Sequence, residues 1–145
     1  MNNFRHVGIV TNDMEESCNF YVEKLGFKII NDNKEDSDFI NRVLNLRDSN
    51  LRTVKLRDNN NFTLELLSFN FEEDFKDVNY KNIFSNGITH IAITVSDLDN
   101  TISQIKDDVE FLSEPEVSPD GKVNLVFCRA IDGVFLELVE ELVWN

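Results

Sequence analysis

The stretch "FRHVGIVTND" at residues 4–13 is written again, in outline, as "THIAITVSD" at residues 89–97. An offset of 84 positions, the step from His6 to His90, also sets Ile9 on Ile93, Asp13 on Asp97, Met14 on Leu98 and Ser17 on Thr101. A repeat on this scale means one structural unit built twice. In each copy a run of branched apolar residues predicts a strand (4–11 and 88–95), closed by Asn12-Asp13 or Ser96-Asp97. A helix follows, carried by Met14, Cys18, Tyr21, Val22 and Leu25 in the first copy and by Leu98, Ile102 and Ile105 in the second. Asp13 and Asp97 are placed to cap these helices, because a carboxylate accepts from the free amides of a first turn. Gly26 marks the first helix's stop.

Further strand signals complete each copy: "FKII" (27–30), "LRTVKL" (51–56) and "FTLELLSF" (62–69), then "VNLVFC" (123–128) and "VFLELVEE" (134–141). The closing hairpins turn at Asn59-Asn60-Asn61 and Asp132-Gly133, residues that tolerate positive φ. A weaker signal near "VEFLSEPEV" supplies the second copy's second strand. The unit is β-α-β-β-β written twice, an α+β chain of 145 residues read as a single domain. Module 1 covers about residues 1–70, a connection 71–85, and module 2 about 86–145. The aromatics Phe71, Phe75, Tyr80 and Phe84 predict a packed connection, and Gly87 the entry to module 2. Within "DSDFINRVLNLRD", Phe39, Ile40, Val43 and Leu44 fall at helical spacing and predict a short amphipathic helix, either a lid or a packing element.

Strand parity raises the chemical question. Side chains alternate between faces, so Val7 and Ile9 share one face while His6, Gly8 and Val10 share the other. Ile91, Ile93 and Val95 oppose His90, Ala92 and Thr94 in the same way. The branched face is expected to pack on helices and the histidine face to line something roomier. Glu65, flanked by Leu64 and Leu66, and Glu137, flanked by Leu136 and Leu138, sit inside apolar strands. Alone, a strand histidine is ordinarily hydrogen-bonded in place and a strand glutamate ordinarily faces water. Together, the chain's only two histidines and two strand glutamates, at matching ends of both repeats, ask for a shared partner. A lone desolvated carboxylate is costly, whereas a divalent Zn, Ni, Co, Fe or Mn ion suits imidazole and carboxylate donors alike.

Composition bounds the partners. A net charge of −13 argues against nucleic acid, whose phosphates are bound through lysine and arginine. No apolar run approaches the ~20 residues of a membrane span, and the first residues read as strand and turn rather than signal peptide, which implies a cytoplasmic protein. Cys18 and Cys128 match no metal or redox spacing and read as small buried residues. There is no Gly-x-Ser-x-Gly elbow, phosphate-cradling glycine loop or third histidine.

The paired openings "HVGIVTNDMEESCNFYVEKLGF" and "HIAITVSDLDNTISQI", closed by "LELL" and "LELVE", resemble the vicinal oxygen chelate superfamily of glyoxalase I and its relatives. The resemblance implies a cupped, incomplete barrel around one metal held by His6, Glu65, His90 and Glu137, with Glu65 or Glu137 as the catalytic base. It also implies a homodimer acting on a small molecule. "CRAIDG" departs from the family's Asp-Pro-Asp-Gly turn at Ala130-Ile131, a change of turn geometry. Glu65 speaks against the dioxygenase and fosfomycin-type branches, which use two histidines and one glutamate. The middle stretch "DFINRVLNLRDSNLRTVKLRDNNNFTLELL" is most similar to the epimerase branch. The expectation is a metal-dependent epimerase, isomerase or lyase, with glyoxalase I proper, or a non-catalytic binding protein on the same fold, as the alternatives.

Overall fold

A computed structural model describes residues 3–35, 37–70, 82–84 and 86–142. The chain divides into two compact units, Met1–Val78 and Asn79–Asn145, and both run in the predicted order.

Unit 1 opens with β1 (Val7–Val10) and α1 (Met14–Asn19). The Asp13 side chain accepts from the Glu16 amide at 2.9 Å, as its place before the helix requires. The expected single helix changes pitch: residues Phe20–Lys24 form a π-helical turn. That turn buries both Phe20 and Tyr21 on the core side, with Tyr21 edge-on to Phe20 and to Phe27. Gly26 then stops the helix at φ +75°, where a side chain would be strained, and Phe27 N–H closes back on the Tyr21 carbonyl at 3.0 Å.

β2 (Lys28–Glu35) is longer than "FKII" suggested, and all but Glu35 is exposed. As an edge strand it is held by its ladder to β3 (Leu51–Arg57) rather than by burial, so apolar patterning could not report its length. The helix α2 (Asp38–Leu44) forms as the spacing predicts, capped by Ser37. It buries none of its residues, and Phe39 and Val43 are 65% and 62% exposed. β3 turns into β4 (Thr63–Ser68) through the Asn59–Asn61 loop, where the Asp58 carboxylate accepts from the Asn60 and Phe62 amides and Asn61 takes φ +67°.

The first sheet has the order β1-β4-β3-β2. First and last strands are hydrogen-bonded neighbours, parallel, with Val7 opposite Leu64 and Gly8 opposite Glu65. The core face carries Ile9, Val54, Leu56, Leu64 and Leu66, all at 4% exposure or less, as the parity of the sequence required.

Unit 2 repeats the plan. β5 (His90–Thr94) leads to α3 (Leu98–Ile105), whose Asp97 cap accepts from the Asn100 amide at 2.8 Å. Leu98 and Ile105 are fully buried. The weakly signalled second strand is broken into β6 (Glu110–Phe111) and β7 (Glu116–Val117), both paired antiparallel to β8 (Val123–Arg129). β8 hairpins through Asp132-Gly133 (Gly133 φ +76°) into β9 (Phe135–Glu141). The sheet order is β5-β9-β8-β6, with β5 and β9 again parallel neighbours.

One expectation needs correction, and a second can be followed at one residue only. The histidines are not mid-strand: His6 precedes β1 and His90 is the first residue of β5, because the parallel ladders begin at Val7↔Leu64 and His90↔Phe135. Of the aromatics assigned to a packed connection, Phe71, Phe75 and Tyr80 lie outside the described residues, and Phe84 is 82% exposed. Cys128 is buried and Cys18 half-buried, both as free thiols. Among the described residues no helix is long and apolar enough to cross a membrane.

Candidate functional site

In unit 1 the parallel ladder puts His6, Gly8 and Glu65 on the sheet face opposite the core. Gly8 is Glu65's ladder partner, and His6 lies two residues before it on the same face. The His6 Nε2 and Glu65 Oε2 atoms are 3.1 Å apart, with the glutamate side chain 14% exposed. Gly8 leaves this face thin: a Cβ there would stand 3.2 Å from Leu67 Cδ1.

Unit 2 reproduces the register. Ala92 is the ladder partner of Glu137, His90 lies two residues before it, and His90 Nε2 sits 3.4 Å from Glu137 Oε2. The other ring nitrogen, Nδ1, is 2.8 Å from Thr89 Oγ1. A hydroxyl either donates or accepts by rotation, so Thr89 supports whichever tautomer Nε2 needs.

The units differ on the far side of each glutamate. Lys55 of β3 is opposite Glu65, with Nζ 3.4 Å from Oε1. Opposite Glu137 stands Phe127, whose ring meets the His90 ring edge-on at 5.2 Å. Next along this face the Arg129 guanidinium covers the Phe135 ring at 4.4 Å. Sequence reading did not single out Lys55, Thr89 or Phe127. Lys55 carried a usable signal, since it interrupts Val54 and Leu56 as Glu65 interrupts its leucines. Thr89 and Phe127 carried none, because only the pairing brings them to the histidine.

The structure thus brings the four residues singled out from the sequence together in two pairs, one per unit. Two donors on one ion, each about 2.0–2.2 Å from it, stand roughly 3.0–3.5 Å apart in octahedral or tetrahedral geometry. The 3.1 and 3.4 Å separations of the pairs match this, and imidazole nitrogen with carboxylate oxygen suits a first-row divalent ion. Among the described residues no group of three or more His, Cys, Asp or Glu side chains is gathered at one point. Each pair thus offers two donors of suitable type and spacing within its own unit. The thiols offer no alternative chemistry: burial pushes Cys128 up to about 11 and also raises Cys18.

Comparison with known proteins agrees with this plan. A glyoxalase family protein from Bacillus cereus is 21% identical, with a TM-score of 0.89 over 99% of this chain and 96% of that one. A glyoxalase family protein from Enterococcus faecalis is 22% identical, with a TM-score of 0.63 over 95% and 97%. Glyoxalase I from Zea mays is 22% identical, with a TM-score of 0.66 over 94% of this chain but only 46% of the maize chain, so this chain spans about half of it. These likenesses are of fold. No curated protein matches at a significant level. The family model of the Glyoxalase/Bleomycin resistance protein/Dioxygenase superfamily matches residues 3–138, nearly the whole chain with both histidine–glutamate pairs inside it, and the chain belongs to that superfamily.

Proposed function

We propose that the chain is a divalent-metal-dependent enzyme, an epimerase, isomerase or glyoxalase-type lyase, in which His6, Glu65, His90 and Glu137 are the metal ligands. The observation that carries this reading is the identical register of the two pairs: each glutamate is ladder-paired to a small residue two positions after a histidine, with Nε2 close to a carboxylate oxygen. When bound, the ion would act as a Lewis acid toward the negative charge that develops on a substrate oxygen.

The remaining chemistry belongs to the chain. The substrate is a small molecule with an acidic C–H beside a carbonyl or hydroxyl. A carboxylate of Glu65 or Glu137 takes that proton; the same carboxylic acid can return it to the neighbouring carbon, whereas inversion at the original carbon needs the other glutamate, protonated, to deliver a proton to the opposite face. The imidazoles hold their glutamates in place, and Thr89 holds His90. We place the protein in the cytoplasm as a homodimer, in keeping with its composition and the habit of its superfamily.

A non-catalytic binding protein on the same fold is the second reading. Lys55 favours it, because an ammonium beside Glu65 balances one carboxylate without any metal. Elemental analysis of the purified protein, followed by deuterium incorporation from heavy water into a panel of α-hydroxy ketones and acyl thioesters, separates the two. About one equivalent of metal and metal-dependent exchange is the expected result. Metal-free protein that binds ligands without exchanging their protons would establish the second reading.

A further inference from the structure

We infer that Lys55 is a positioning residue of this site, a built-in cation that orients Glu65 and weakens its hold on the metal ion. The inference rests on the metal-dependent reading above. Lys55 and Glu65 are directly opposed in the β3–β4 ladder, and the glutamate's two oxygens are divided between two partners. Oε2 faces His6 Nε2 at 3.1 Å and Oε1 faces Lys55 Nζ at 3.4 Å. Neither partner is loosely placed: the His6 and Lys55 side chains are only 30% and 35% exposed.

In unit 2 the same ladder position holds Phe127, and among the described residues Glu137 has no lysine or arginine ion pair. The repeat is therefore symmetric in its donors and asymmetric in its surroundings. An ammonium is a compact point charge on a flexible stem. A carboxylate oxygen shared between that charge and a divalent ion serves each less well, and the two cations repel. Glu65 accordingly has a second cation to hold whenever it turns from the metal. Glu137, beside a phenyl ring, has none among the described residues. Lys55 makes the His6–Glu65 pair the weaker of the two pairs toward a metal ion and keeps the Glu65 carboxylate aligned when no metal is bound.

The test is metal titration calorimetry on the metal-stripped full chain, with Zn²⁺ and Ni²⁺ as probes, which reads the site without an activity assay. Lys55→Met keeps the stem and removes the charge, and is expected to tighten binding about tenfold. Lys55→Gln is carried in parallel, so that a folding defect in one neutral variant leaves the other to decide. Lys55→Arg retains the charge and should stay within about twofold of the natural chain. The reciprocal Phe127→Lys should weaken binding by about the same tenfold. A purely structural lysine predicts the opposite sign, and unchanged or weaker metal binding in folded neutral variants would overturn the inference while leaving the metal-dependent reading in place. Uptake by the neutral variants but not by the natural chain would uphold the inference and overturn that reading. Uptake by none of them would overturn both.

Discussion

His6 Nε2 and Glu65 Oε2 meet at 3.1 Å because the first and last strands of their unit are parallel neighbours, which brings residues nearly sixty positions apart onto one sheet face. His90 and Glu137 repeat the relationship. On the proposed metal-dependent reading, removing one member of either pair should reduce metal affinity far more than stability. His6→Gln and His90→Gln are each expected to lower affinity by at least about tenfold to a hundredfold, with melting temperatures of the metal-free proteins changed by only a few degrees. Metal content that is unaltered in both variants would remove the metal from the site.

The helix α2 offers a second test. Phe39, Val43 and Leu44 are exposed within unit 1, so Phe39→Ala should change the stability of the metal-free chain by less than about 0.5 kcal/mol. If α2 closes over bound substrate, turnover falls several-fold in the same variant. A destabilisation above about 2 kcal/mol would mean that Phe39 packs against another surface, such as a partner chain.

Leu66 and Leu138 occupy equivalent places in β4 and β9, each fully buried beside its glutamate's strand neighbours. Replacement of either by Ala deletes buried methyl groups where the sheet cannot collapse, at a cost of about 2–5 kcal/mol. Chemical denaturation measures it. Equal losses in the two variants would show that both units contribute to one cooperative transition, whereas two separated transitions would show that they melt independently.

Arg52 joins three elements of unit 1 by gripping Asp32 of β2 with two nitrogens and Glu15 of α1 with a third contact. The guanidinium holds the Asp32 carboxyl below the usual carboxylate range and is itself held more firmly protonated. A depressed folded value means stabilisation that is present above the unfolded carboxylate range, near ~3.9, and lost as pH falls through the lower folded value. The pair is solvent-exposed, so Asp32→Asn should cost at most about 1 kcal/mol at pH 7. That difference should shrink in high salt and close as the pH drops below about 4. A gap that persists at low pH would point to packing rather than charge.

Thiol titration under native conditions provides a further check. Burial holds Cys128 up to about 11, and desolvation outweighs Arg52 in raising Cys18. Both should react slowly with a disulfide reagent at pH 8, Cys18 before Cys128, and both promptly after denaturation. Rapid native reaction of Cys128 would show that β8 opens readily.

The sequence alone determined the repeat, the helix caps, the hairpin turns and the candidate residues. Each of these is a local relation: a period of two or of three to four, an Asp before a helix, a Gly or Asn where φ must be positive. Asp13, Asp97, Gly26 and Gly133 act where the pattern put them. Only the tertiary structure decided which strands are neighbours. The 57 residues from Gly8 to Glu65 and the 45 from Ala92 to Glu137 show no common spacing, yet parallel pairing gives them one register. It also decided where the histidines sit, at the mouths of the parallel ladders rather than within them, and what stands across from each glutamate. Lys55 and Phe127 are unrelated in type and invisible as partners along the chain, because cross-strand contact depends on register, a property of two strands together. The π turn at Phe20–Lys24 is of the same kind: helical spacing was legible, but the change of pitch that turns Phe20 and Tyr21 inward is imposed by the core they fill.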